Sequence, residues 1–167
     1  MNLRKATTSE LAIIWEIIQY AIEQRKQDGS VQWQDGYPNE TTLQQDIDSG
    51  NAYLVTDDGI VLAYAAIIFE KEPAYENIEG KWLTNGDYAV VHRVAASKLA
   101  KGKGVATKLF QIIEDLCKDK KVYSIKVDTN FDNKPMLKIL EKLDYTYCGE
   151  VYFRGGARKA FEKVLPA

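Results

Sequence analysis

The stretch that most limits what this chain can fold into is residues 88–104. Tyr88-Ala89-Val90-Val91-His92-Arg93-Val94-Ala95-Ala96 is nearly continuous in apolar residues, which suits a central strand buried on both faces. It runs through Ser97-Lys98-Leu99-Ala100 into Lys101-Gly102-Lys103-Gly104, after which Val105, Leu109, Ile112, Ile113 and Leu116 recur at helical spacing. A strand entering a helix through a glycine-rich turn asks for an α/β arrangement. It also aims the first helical amides, which lack intrahelical acceptors, at whatever lies beyond the turn. Glycines let the backbone approach a ligand, the helix dipole favours an anion, and Lys98, Lys101, Lys103 and Lys108 add positive charge. A phosphate or pyrophosphate fits there. Two other phosphate motifs do not match, since no third glycine completes Gly-x-Gly-x-x-Gly and no Gly-Lys-Ser/Thr closes a Walker loop. The alternative is a turn that merely joins strand to helix.

The remaining elements follow from hydrophobic period. A short strand covers about Leu3 to Ala6, and Thr7-x-x-Glu10 has capping-box spacing. Leu11, Ile14, Ile18 and Ile22 then predict a helix up to Asp28-Gly29. A polar loop carries Gln32, Trp33, Gly36, Tyr37 and Pro38, and a short helix from about Glu40 to Ser49 stops at Gly50. Ala52 to Thr56 and Ile60 to Phe69 flank Asp57-Asp58-Gly59 as a hairpin. A connection through Pro73 and Trp82 leads to the central strand. Val122 to Thr129 is a further strand, Asn133 to Leu143 a helix, and Tyr145 to Phe153 with about Ala160 to Leu165 the closing strands. The order β-α-α-β-β-β-α-β-α-β-β indicates an α/β fold with a mixed central sheet of about six or seven strands flanked by about four helices.

At 167 residues the chain is expected to form a single domain over 1–167. Hydrophobic residues make up 46% and aromatics 11%, too much for a disordered chain. Neither a membrane-length apolar run nor a signal-peptide core is present, so a cytoplasmic location is expected. Cys117 and Cys148 lie far apart and His92 is the single histidine, so neither a disulfide scaffold nor a metal site is expected. The pI near 5.5 argues against a nucleic-acid partner. Residues 1–84 hold 6 Lys and Arg against 14 Asp and Glu, a formal −8, whereas 85–167 hold 16 against 10, a formal +6. Such a division suits a cationic substrate beside an anionic cofactor, and it equally describes solvated surface.

The run from Val94 to Ala106 resembles the acetyl-CoA motif of the GNAT superfamily of N-acetyltransferases, Arg/Gln-x-x-Gly-x-Gly/Ala. Lys101 stands at the Arg/Gln position, Gly104 at the Gly and Ala106 at the Gly/Ala. Asn133-Lys134-Pro135-Met136-Leu137-Lys138-Ile139-Leu140-Glu141-Lys142-Leu143-Asp144-Tyr145 resembles a second segment of that family, Asn-x-x-Ala-x-x-x-Tyr-x-Lys-Leu-Gly-Phe. Further likeness to bacterial members of unassigned acceptor runs through Val91 to Ala95, Asp128-Thr129-Asn130, Tyr147-Cys148-Gly149 and Arg158 to Glu162. The resemblance implies the GNAT fold and transfer of an acetyl group from acetyl-CoA to an amine on a small molecule or peptide. Residues Val94, Ala95 and Ala96 would pair with the pantetheine arm, and the amides of Lys101, Gly102, Lys103, Gly104, Val105, Ala106 and Thr107 would hold the pyrophosphate. The strand carrying Lys126-Val127-Asp128 would splay from the central one to admit the cofactor. Asn133 would bind the cofactor arm or order the local backbone, and it suits a helix cap equally well. GNAT proteins are often dimers, so a homodimer is a further expectation.

The chemistry needs a neutral amine, so a base or a water chain must take its proton. His92 is the candidate base, two residues before Val94 on the same strand face, with Glu70 and Asp128 as rivals and a sheet-supporting role as the alternative. The tyrosine that often protonates the thiolate in this family aligns with Leu140, which has no proton to give. Tyr145, Tyr147, Cys148 or water are the substitutes. Cys117 reads as core. Trp33 and Tyr37 would wall the acceptor pocket through cation–π contact, or anchor their loop. A CoA-binding module that has lost catalysis, or another kind of phosphate binder, are the competing readings.

Overall fold

The computed structural model describes every residue except Gly155. Its elements are β1 (Asn2–Lys5), α1 (Leu11–Gln27), α2 (Glu40–Asp48), β2 (Ala52–Asp57), β3 (Ile60–Ile68), α3 (Pro73–Glu76), β4 (Glu79–Gly80), β5 (Ala89–Ala96), α4 (Val105–Asp119), β6 (Ser124–Thr129), α5 (Lys134–Lys142), β7 (Thr146–Phe153) and β8 (Gly156–Val164). The strands form one mixed sheet in the order β1-β2-β3-β5-β6-β8-β7-β4. Among the described residues, eight strands and five helices exceed the expected six or seven and four. The additions, α3 and β4, fall in what the sequence suggests is a plain connection, because one turn of helix and two residues of strand are too short to show a period. The last strand also begins earlier than expected, at Gly156 rather than about Ala160.

The chain forms two compact units, Met1–Ile67 with Arg93–Ile112, and Ile68–His92 with Ile113–Ala167. In the first, α1 buries Ile14, Ile17, Ile18 and Ala21 along one face, packed with Leu43 of α2 and Leu54 and Tyr64 of the hairpin. Each of the isoleucines and leucines contributes roughly 1.5–3 kcal/mol by leaving water, and the Ala21 methyl about 0.8 kcal/mol. Ahead of α1 a 3-10 turn, Thr8–Glu10, is fixed by Glu10, whose Oε1 accepts from Thr7 N at 2.9 Å. The β2–β3 turn places Asp58 and Gly59 at φ 49° and 78°, the paired positive values of a tight hairpin turn.

In the second unit β6, β8 and β7 are antiparallel neighbours, and β5 pairs with β6 in parallel at Ala89↔Ile125 and Val90↔Lys126. Tyr75, Trp82, Tyr88, Val90 and Val151 form its core. Lys126 is inside this unit, its Nζ 3.9 Å from the Tyr88 ring centre and 4.5 Å from that of Trp82. Burial lowers its pKa, and Glu162, its cross-strand partner, opposes that shift. Glu162 is fully buried and accepts from Leu83 N and Ser124 Oγ, each at 2.7 Å, and from Thr84 Oγ1. Gly80 and Gly149 face each other at φ 141° and 138°, where a Cβ on either would strike the partner strand's backbone.

Candidate active site

The glycine turn lies in the first unit. After β5 the chain makes a 3-10 turn, Lys98–Ala100, capped by Ser97, whose Oγ accepts from Leu99 N at 3.0 Å. Ser97 N donates to Leu62 O at 2.9 Å and keeps the strand end beside β3. Gly102 and Gly104 then adopt φ 77° and 64°, the left-handed region that favours glycine, and nothing lies within 4 Å of where a Cβ on either would sit. Lys108 N donates to Gly104 O at 3.1 Å, so the amides of Val105, Ala106 and Thr107 precede that bond at the N-terminus of α4. Lys98, Lys101, Lys103 and Lys108 are exposed around it, and the first turn of α4 has no acidic residue. Amides, dipole and cations point one way, toward an anion. The side chains of Val94 and Ala95 are buried, which leaves their backbone as the part able to meet a ligand.

Upstream of the turn, Arg93 interrupts β5 with φ 54°, a conformation that costs a non-glycine residue about 1 kcal/mol or more. The surrounding bonds hold it. Arg93 Nε and Nη2 donate to the two oxygens of Asp46 at 2.8 and 2.6 Å, and Nη1 donates to the Tyr37 hydroxyl at 2.6 Å. Tyr64 adds a 2.6 Å bond to Asp46. Burial is the largest single influence and works against the Arg93 charge, but the Asp46 hydrogen bonds together with the fields of Tyr37, Asp46 and Tyr64 outweigh it and raise the pKa above its ordinary value. Tyr37 is thus tied to β5. Trp33 is 7% exposed, packed in the core with the Arg25 guanidinium 4.9 Å from its ring centre. Asp46 is absent from the residues that motif and period single out, and its one local signal is a carboxylate three residues after Leu43, on the buried side of α2.

His92 lies in the second unit between two carboxylates. Its Nε2 stands 3.8 Å from Glu72 Oε2 and its Nδ1 3.7 Å from Asp128 Oδ2. The Tyr75 hydroxyl donates to that Asp128 oxygen at 2.6 Å, and the Tyr75 and Phe153 rings pack edge-on against the imidazole. Burial, and then Asp128, push the Tyr75 hydroxyl well above its ordinary pKa, so it acts as a fixed donor. The carboxylate expected from sequence besides Asp128 was Glu70, which is exposed, whereas Glu72 is the residue brought to His92. Glu72 caps α3 through Oε1, which accepts from Ala74 N at 3.2 Å, and this turns Oε2 to the imidazole. The Glu-Pro step at 72–73, acid before a first-turn proline, was its signal.

The residues considered as acids fall elsewhere. Tyr145 is 7% exposed, near Glu114 and Cys117, with burial raising its pKa far above normal. Tyr147 is 53% exposed and packs on Phe161 at 5.6 Å. The Cys148 thiol is 3.4 Å from Thr146 O and its pKa is raised by burial. Leu140 is fully buried. Cys117 is likewise fully buried, its thiol pushed up to about 12 by burial. Asn133 caps α5, its Oδ1 accepting from Met136 N at 3.3 Å.

The family model of the acetyltransferase (GNAT) family matches residues 15–145. A GNAT-family acetyltransferase from Streptococcus agalactiae 2603 superposes with a TM-score of 0.90 at 36% identity, over 99% of this chain and 96% of that one. Two others share the fold at lower identity. One is yncA, a putative acetyltransferase from Salmonella typhimurium solved with its cofactor acetyl-CoA, with TM-score 0.69, 14% identity, and 100% and 95% of the two chains covered. The other is a ribosomal-protein-alanine N-acetyltransferase from Brucella melitensis, with TM-score 0.68, 16% identity, and 99% and 100% covered. A comparison with curated proteins finds no match. The matched span and the first of these likenesses carry the same conclusion as the glycine turn, and the chain belongs to the GNAT family of acetyltransferases.

Proposed function

We propose that this protein is an N-acetyltransferase acting on a primary amine, with acetyl-CoA as donor, and that residues 1–167 work as one domain. The observation that carries the reading is His92, held between Glu72 and Asp128 in a chain of this family. The turn at 101–107 fits the cofactor. Its two glycines leave open space where side chains would project, its amides open a helix, and its lysines supply charge. Backbone of Val94 to Ala96 and of Lys101 to Thr107 would hold acetyl-CoA, with Asn133 ordering the start of α5. When bound, the cofactor supplies an acetyl thioester, an acyl group already activated toward an amine.

The chain's own task is to deliver that amine neutral and aimed. Imidazole is the side chain suited to take a proton near neutral pH. His92 accepts the ammonium proton, with Glu72 and Asp128 facing its two nitrogens and orienting the ring. Tyr75 positions Asp128 by hydrogen bond. The formal −8 of residues 1–84 favours a cationic acceptor, and Tyr37, fixed by Arg93, is the aromatic residue that would meet it, whereas Trp33 is packed in the core. No separate acid is needed if the proton lost by nitrogen on amide formation passes to the departing sulfur, directly or through water.

A second reading, a CoA-binding module without turnover, is favoured by Leu140 being buried and by Tyr145 and Tyr147 having neighbours other than those of His92. Calorimetric titration with acetyl-CoA and CoA, with ATP and NAD as controls, followed by a panel of polyamines, aminoglycosides, amino acids and peptides, separates the readings. Selective binding with turnover supports the first and binding without turnover the second. Binding of ATP but not CoA would remove both.

A further inference from the structure

In the first unit, a recess of about 190 Å³ lies where the C-terminal half of α1 meets the end of β5, lined by Tyr20, Gln24, Arg25, Ala96, Ser97 and Lys101. The recess carries two cationic side chains and no carboxylate. Arg25 Nε is buried and has no hydrogen-bond partner. Burial lowers the Arg25 pKa, and only the field of Asp28 acts the other way. Arg25 itself is half-buried, and a guanidinium whose Nε is withdrawn from water is well suited to a carboxylate or phosphate in a planar, paired contact. Trp33 supplies a ring beneath the guanidinium, which orients it but accepts none of its protons in the plane. Ser97, 8% exposed, uses its oxygen as an acceptor for Leu99 N, and its own O–H remains a donor.

We propose that this recess is an anion subsite in which Arg25 of α1, with Lys101 and Ser97, holds a phosphate or a carboxylate group of a ligand. Resting on the acetyltransferase reading, the group belongs either to a phosphate of the cofactor or to an acidic group on the acceptor. The donors present serve both.

The test compares wild type, R25Q and R25K in two arms. The first titrates CoA and pantetheine, which shares the arm of CoA and has no phosphate. The second measures acetylation of amino acids against their amides, pairs that differ in one negative charge. A cofactor source predicts that R25Q weakens CoA by about tenfold or more and leaves pantetheine unmoved. An acceptor source predicts that R25Q leaves CoA unmoved and abolishes the preference for the free carboxylate. In either case R25K recovers part of the loss. R25Q matching wild type in both arms, with wild type binding CoA, overturns the subsite alone. So does a fall in melting temperature with every ligand response unchanged, which would make Arg25 a packing residue. Wild type that binds no CoA overturns the acetyltransferase reading instead.

Discussion

Oδ2 of Asp128 stands 3.7 Å from Nδ1 of His92, and the same oxygen accepts a 2.6 Å hydrogen bond from the fully buried Tyr75. A carboxylate anchored from one side and turned to an imidazole on the other sets the ring's orientation. Replacing His92 by Gln is expected to lower kcat/KM by about 10²–10⁴-fold and to remove the acidic limb of its pH profile, with CoA affinity unchanged. Tyr75→Phe, which removes only the anchor, should cost about tenfold or less and keep that limb. Steady-state rates against pH check both. An H92Q enzyme with the wild-type profile would assign proton removal to water or to another group.

The open space around Gly102 and Gly104 leads to a second expectation. Glutamates at both positions would put side chains and negative charge before the α4 amides, and CoA binding should be lost in a calorimetric titration. Gly104→Ala separates charge from strain. Its Cβ meets nothing, so the cost is the left-handed backbone alone, about 1 kcal/mol, and CoA binding should persist.

Asp46 accepts from Arg93 twice and from Tyr64 once, and is 6% exposed. Asp46→Ala leaves a buried guanidinium without its counter-charge, and should cost about 3–5 kcal/mol, a fall of roughly 6–20 °C in melting temperature for a chain of this size. Part of the penalty is the loss of what holds Arg93 in its left-handed conformation. Arg93→Met with Asp46→Leu should recover much of it, because the desolvation cost then disappears with the charges. A double-mutant cycle read by thermal unfolding measures the coupling.

What could be read from the sequence divides along physical lines. The long periodic elements and the glycine turn were legible, since helical spacing such as Ile14, Ile18 and Ile22 and the glycines of the turn are local signals. So was His92 as the base to consider, being the chain's only imidazole. Its partners were not, because Glu72 reaches it from a one-turn helix and Tyr75 meets Asp128 across 53 residues of chain, pairings that no spacing encodes. Lys126 and Glu162 illustrate the same limit. Charged residues in strands read as a solvated face, and only cross-strand pairing and an aromatic surround show that both lie inside.

The Glu10 carboxylate at the start of α1 gives a pH-dependent expectation. It accepts from Arg4 Nη1 and Nη2 at 2.9 and 2.7 Å and from Thr7 N at 2.9 Å, and the Arg4 hydrogen bonds first of all lower its pKa from 4.5 to about 2. The folded value is below the unfolded one, so the native state gains from ionised Glu10 above about 4.5 and loses that gain as pH falls toward about 2. Arg4 is 45% exposed along its side chain, so solvent screening keeps the contribution to about 0.2–1 kcal/mol. Glu10→Gln cannot titrate. Urea unfolding midpoints of wild type and E10Q should therefore differ most near neutral pH and converge as the solution is acidified through that window, and high salt should narrow the neutral difference. Midpoints that stay apart by the same amount at every pH would mean that Glu10 acts as a neutral cap on Thr7, with its charge contributing nothing.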